Sequence, residues 1–299
     1  MSADQKSDLI MHRASLQGLR PTNEDSELCK INLSIKGHSI DKVSSPVDVF
    51  VICDGHGGSE VAKYVTPYLE KILTGPKMTY PVSQDYIYKI YNHIQQKIIN
   101  HPKNIGMGCG CTALVVIRYM LYSKRHLQVI NIGDCRAVLS RRNLAIPLCL
   151  DHKPDWPDEK IRIDNVNKIH KQNERIYFGE GAWRIGDLSV SRSFGDLDNT
   201  PYVTHIPDVF HYPMEYADDF MIMACDGLWD VLGNEEAINF VRDHILNNHV
   251  YTYNIPHLYP SHHNDGSNNI AKKIAEYAIA RGSTDNISVI IVIFRKNNI

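Results

Sequence analysis

The sequence predicts an α+β fold in which sheets are flanked by helices, and three observations carry that expectation. Short, β-branched, nearly continuous apolar runs are too numerous for a helical bundle, and longer segments with helical spacing lie between them. The two kinds alternate irregularly, which does not fit a regular βαβ repeat. Of the 299 residues, 43% are hydrophobic and 22% charged, ordinary for a globular protein and enough for a sizeable core. No linker, internal repeat or low-complexity block divides the chain, so a single domain over residues 1–299 is expected, with a short polar tail over about 1–8.

In chain order, the run at 47–53 reads as a buried strand, and Ser59 then stands where a cap would open a helix over 59–70. Helical spacing returns over 84–100. Apolar runs at 112–117, 127–132 and 137–140 predict three further strands, followed by a helix at 158–166. A strand at 220–224 precedes a helix at 234–247, and a last helix at 269–280 leads into a strand at 287–294. The stretch 247–268 is rich in His, Tyr, Asn and Pro and reads as a surface insertion. Its His257, His262 and His263 have a single acid, Asp265, and no cysteine nearby, so a solvated loop is preferred over a metal site.

Charge and cysteine content exclude several classes. A formal net charge of -2 with mixed signs gives no cationic field for nucleic acid or anionic membrane. No apolar stretch approaches the roughly 18 to 20 residues of a membrane span, and no signal-like segment opens the chain, so a cytosolic or nuclear protein is expected. Seven scattered cysteines favour buried free thiols in a reducing compartment, and Cys109 with Cys111 lacks the second pair that a zinc site needs.

The placement of acids is the informative pattern. Asp54, Asp134 and Asp226 follow predicted strands and Asp285 precedes one. Carboxylates gathered on such rigid mounts would repel one another unless a cation sat between them. Oxygen donors without a His or Cys set point to magnesium or manganese. Glycines surround Asp54 and His56 in Asp54-Gly55-His56-Gly57-Gly58, a turn that permits close backbone approach. Arg20, a planar fork suited to phosphate oxygens, precedes the adjacent acids Glu24 and Asp25.

The strings RPTNED, VICDGHGG, GCTALVVI, INIGDCRAVL, DHKPDWPDEKIRI, WRIGDLSVSRSFGD, MACDGLWDVL and STDNISVIIV occur in that order. In this the chain resembles the metal-dependent protein serine/threonine phosphatases of type 2C, the PPM family, over nearly its whole length. The resemblance implies a central β-sandwich of two mostly antiparallel sheets between helical layers. It implies Asp54 as the acid bridging two Mg2+ or Mn2+ ions, Glu24 and the Gly55 carbonyl as ligands of one, and Asp226 and Asp285 as ligands of the other. Asp25 would orient metal-bound water, Arg20 would clamp phosphate and His56 would be the general acid. Asp134, Asp226 and Asp230 stand where family members often hold a weaker third metal.

The implied reaction is hydrolysis of phosphoserine and phosphothreonine in proteins by in-line attack of a metal-bridging hydroxide, without a phosphoenzyme. A monomer acting on phosphoprotein substrates is expected. Residues 151–195 match the family flap, in which Trp156 and Trp183 read as packing anchors. Cys109, Cys111 and Cys135 replace common serines, which leaves oxidation sensitivity to depend on exposure. The Cys-x5-Arg spacing of a cysteine-nucleophile phosphatase occurs only at Cys135 and Arg141, across the expected strand 137–140 rather than in a phosphate-cradling loop, so that class is disfavoured, and no Gly-Lys-Ser/Thr phosphate loop occurs. A catalytically silent docking module and a hydrolase of small phosphoesters remain as rivals.

Overall fold

The computed structural model describes residues 8–33, 43–76, 78–171, 174–247 and 268–295. Nearly all of the expected tail and of the 247–268 insertion, with His257, His262 and His263, lies outside the described residues. The chain divides into two compact units, each assembled from separate stretches of sequence. The larger comprises Thr22–Arg136 and Leu148–Glu215, the smaller Met1–Pro21, Ala137–Pro147 and Tyr216–Ile299.

The larger unit is built on a five-stranded antiparallel sheet in the order Asp208–Pro213, Lys124–Ile132, Ala113–Leu121, Val43–Cys53 and Ser26–Leu33. Val49, Val51, Val115, Ile117, Ile130 and Ile132 form a core with two helices, Glu60–Leu73 and Gln84–Ile99. Those helices contribute Val61, Val65 and Leu69 and Ile87, Tyr91, Ile94 and Ile98, the three-to-four spacing that makes one apolar stripe. A small three-stranded sheet, with Gly110–Cys111 between Gly55–His56 and Phe194–Gly195, extends from the strand ends. The helix Pro157–His170, opened by a proline in its first turn, and the hairpin Tyr177–Gly179 with Ala182–Arg184 make up the flap segment.

The smaller unit holds a second five-stranded sheet, ordered Leu9–Leu16, Ile287–Phe294, Asp218–Ala224, Arg136–Arg141 and Leu144–Pro147. Phe220, Ile222, Val289, Ile291 and Ile293 pack with Ala237, Ile238 and Val241 of helix Asn234–Asn247 and with Ile270, Ile274 and Ala278 of helix Ile270–Ala280. Asn269 caps the latter by accepting from the Lys272 N–H at 3.2 Å. The architecture is α+β, as expected, and no described helix is long and apolar enough to cross a membrane.

All six expected strands and five expected helices are present. Four strands that sequence reasoning missed, Leu9–Leu16, Ser26–Leu33, Leu144–Pro147 and Asp208–Pro213, are the edges of the two large sheets. Trp156 and Trp183, expected to anchor packing, are 37% and 44% exposed, and Trp183 meets Phe178 edge to face.

Candidate metal and catalytic site

On the larger unit, Asp54 follows strand Val43–Cys53 and is fixed by its own carbonyl, which accepts from the Thr112 N–H at 2.9 Å. Its carboxylate has an oxygen within 4.8 Å of one on Asp25 and, likewise, of one on Asp134. Asp134 leaves the end of strand Lys124–Ile132 through Gly133, whose φ of 95° and contact with Thr112 leave no room for a side chain. Asn131 and His152 brace that turn: Asn131 Nδ2 donates to the Gly133 carbonyl at 3.1 Å, and the Gly133 N–H donates to His152 Nδ1 at 3.0 Å. Asp134 is 2% exposed, with Oδ2 receiving Lys153 Nζ and Oδ1 buried without a hydrogen-bond partner.

Glu24 is held by Thr22, whose hydroxyl donates to Oε1 at 3.2 Å, and by the Gly58 N–H, which donates to Oε2 at 3.1 Å. A Cβ at position 55 would lie 2.4 Å from the Glu24 carbonyl oxygen. Glycine there lets two stretches of the chain pass each other, a more specific role than the approach to a ligand that its sequence suggested.

His56 is partly exposed, and its Nε2 lies 2.9 and 2.7 Å from the two carboxylate oxygens of Asp196, which is 2% exposed. Burial opposes a charge on the imidazole, but the Asp196 hydrogen bond and charge, with Asp134 and Glu24, outweigh it and raise the His56 pKa above its ordinary value. Asp196 was not picked out from the sequence. Its only signal is its place at the end of the SRSFGD string, after a glycine, where charge and glycine read as an ordinary turn.

On the smaller unit, Asp226 opens the four-residue helix Asp226–Trp229, and the Asp230 N–H donates to the Asp226 carbonyl at 2.8 Å. The segment is therefore helical, the condition under which Asp226 and Asp230 share a face. Gly227 passes so close to the loop before the last strand that a Cβ would lie 2.0 Å from the Asn286 carbonyl oxygen. In that loop Asp285 accepts from the Asn286 N–H at 2.7 Å and from Arg20 Nη2 at 2.7 Å. Gly18, at φ 61°, lies against the Asp285 carbonyl, and Asn286 Nδ2 donates to the Gln17 carbonyl at 2.8 Å, so the Arg20 segment is clipped to the Asp285 loop.

The acids at strand and helix ends offer carboxylate oxygens, one of which, on Asp134, is buried and unpartnered. Such a set fits hard divalent cations. The Lys153 ammonium on Asp134 already supplies a positive charge to the residue matched to the weaker third metal. The same negative field acts on the cysteines. Burial first, then the charges of Asp54, Asp134 and Asp25, push the Cys135 thiol well up. Burial likewise raises Cys111 and Cys109. None of the seven cysteines forms a disulfide and six are buried, so the serine replacements are protonated, sheltered thiols.

A family model described as Protein phosphatase 2C matches residues 11–287. A PP2C-like domain-containing protein of Acanthamoeba polyphaga mimivirus is 66% identical over 175 residues, 58% of this chain and 98% of that protein. "Probable protein phosphatase 2C 7" of Oryza sativa subsp. japonica is 32% identical over 283 residues, 94% of this chain and 64% of that protein. The chain thus spans less than two thirds of the rice relative, and only 34% of Protein phosphatase 1E of Mus musculus, to which it is 28% identical. Among solved structures, a phosphatase from a pathogenic strain of Toxoplasma gondii has a TM-score of 0.73 at 20% identity, covering 97% of this chain and 94% of that one.

Proposed function

The chain belongs to the protein phosphatase 2C family, and on that premise we propose that it hydrolyses phosphoserine and phosphothreonine in proteins, directly and without a phosphoenzyme. The observation that carries this reading is the grouping of acids around Asp54, with oxygens of Asp25 and Asp134 each within 4.8 Å of it. Three such carboxylates, one fully buried, are stable together only where positive charge balances them.

The proposed ligands are Asp54, Glu24 and the Gly55 carbonyl on the larger unit, and Asp226 and Asp285 on the smaller. Two magnesium or manganese ions, when bound, would lower the pKa of water and neutralise phosphate charge. The residues of the chain then have separate tasks. Asp25 orients the attacking water. Arg20 presents a guanidinium to the non-bridging phosphate oxygens, for which it must exchange its bond to Asp285. His56, whose pKa the Asp196 hydrogen bond and charge raise, gives its proton to the serine or threonine oxygen as that bond to phosphorus breaks. Asp134 and Asp230 are proposed to take part in a weaker third site, Asp134 by releasing Lys153.

The test is turnover of a phosphothreonine peptide and of p-nitrophenyl phosphate by the purified chain with Mn2+, Mg2+ or EDTA. Metal-dependent turnover of both, abolished in Asp54→Ala and in Asp226→Ala, is expected. Activity on the small ester alone would favour a metabolite hydrolase, and no metal-dependent turnover of either would favour a docking module.

A further inference from the structure

The small three-stranded sheet brings His56 and Asp196 together with a precision that a chance surface pair lacks. His56 and Gly195 both pair with Gly110, which occupies the middle strand. A Cβ on Gly110 would lie 2.2 Å from Asp196 Oδ2 and 2.6 Å from His56 Nε2, so the pair can close only over a glycine. Asp196 is held in turn. Its backbone is left-handed at φ 45°, its N–H donates to the Cys109 carbonyl at 3.1 Å, and Ser193 Oγ donates to its carboxylate. Gln95, 4% exposed on helix Gln84–Ile99, donates from Nε2 to the Gly195 carbonyl at 3.0 Å and accepts the Gly195 N–H on Oε1 at 3.0 Å. A buried serine bonded to the carboxylate, a buried glutamine bonded to the backbone of the residue before it and a left-handed non-glycine backbone together fix Asp196, an arrangement with a cost unless its carboxylate has a task.

We infer that Asp196 is a positioning residue for His56, holding Nε2 so that Nδ1 is the nitrogen presented to the leaving-group oxygen. This rests on the reading of the chain as a phosphomonoester hydrolase with His56 as its general acid. As water forms the new bond to phosphorus and the bond to the serine or threonine oxygen breaks, the Nδ1 proton passes to that oxygen. The imidazole is left neutral, its Nε2–H still directed at Asp196. An alkoxide needs this proton to depart, whereas p-nitrophenolate leaves without it.

The experiment compares Asp196→Asn, His56→Gln and the double variant on a phosphothreonine peptide and on p-nitrophenyl phosphate, at saturating Mn2+. For Asp196→Asn, kcat on the peptide is expected to fall by about 100-fold, the lower range of general-acid contributions. The fall on p-nitrophenyl phosphate is expected to be at least about tenfold smaller, and the double variant to lose no more than His56→Gln alone, because the two act as one unit. Gly110→Ala, which keeps both side chains but puts a methyl group between them, should show the same split and serves if Asp196→Asn does not fold. Equal losses on both substrates, or losses that multiply in the double variant, would overturn the role. Should the wild type turn over neither substrate, the phosphatase reading fails and a second readout decides the positioning. Nitrogen NMR of the His56 ring in the metal-free chain should show a hydrogen-bonded Nε2–H that is lost in Asp196→Asn, and an unchanged ring signal would refute it.

Discussion

Replacing Glu159 by glutamine removes one negative charge from between two arginines that attach the flap helix Pro157–His170. Glu159 Oε1 accepts from Arg192 Nε and Nη2 at 2.9 and 2.6 Å, and Oε2 accepts from Arg162 Nε and Nη2 at 3.1 and 2.8 Å. The helix buries only Glu159 and Ile163, and Ile163 sits in a small cluster with Ile185 and Val203. The charged junction is therefore a large share of what holds the helix. Burial opposes the charge on Glu159, but the bonds and charges of Arg192 and Arg162 outweigh it and bring its pKa from an ordinary 4.5 down to about 2. By linkage that depression corresponds to about 3 kcal/mol, within the range for removing one partner of a buried pair. The glutamine NH2 would also face guanidinium N–H groups, donor against donor. A carboxyl depressed in the folded chain stabilises it above the ordinary pKa, and that contribution is lost as pH falls through the folded value. Urea unfolding, with hydrogen exchange of residues 157–170, should show Glu159→Gln less stable by about 3 kcal/mol at pH 7, the difference closing between about pH 5 and 2. A difference below about 0.5 kcal/mol at pH 7, typical of an inconsequential surface change, or one that does not shrink in acid, would refute the reasoning.

Other outcomes follow from the same geometry. Gly227→Ala drives a methyl group onto the Asn286 carbonyl oxygen and should destabilise the chain by about 1–3 kcal/mol in urea unfolding; an unchanged midpoint would show that the loop yields freely. Cys111 and Cys135, buried with raised pKa values, should resist iodoacetamide at pH 8 in the folded chain and react on unfolding, as read by mass spectrometry; rapid labelling of either while folded contradicts this. In the metal-free chain His56 should titrate above 6.5 by NMR. Its contribution to stability is complete below pH 6.5 and lost as pH rises through the folded value; titration below 6.5 would show that burial outweighs Asp196.

What the sequence made legible has a physical pattern. Strands such as Val43–Cys53 and Ile287–Phe294 lie inside their sheets, and their long apolar runs could be read directly. Leu9–Leu16 and Ser26–Leu33 are edge strands, half exposed and carrying His12, Arg13, Glu27 and Lys30, so their composition resembles that of loops. Asp54, Asp134, Asp226 and Asp285 were found because an acid beside a strand end is a local feature. The pairs His56 with Asp196 and Arg20 with Asp285 join residues 140 and 265 apart, and two-residue strands have no periodicity to reveal them. The glycines at 110 and 195 were the nearest available signal, since each marks a close approach that only the fold explains.

Manganese uptake and turnover, measured on one preparation of the wild type and one of Asp54→Ala, test the central claim most directly. Electron paramagnetic resonance should find Mn2+ bound by the wild type, with phosphothreonine hydrolysis rising as the ion is taken up, and both lost together in Asp54→Ala. Hydrolysis that persists in Asp54→Ala, or that proceeds in the wild type with no ion bound, would contradict it.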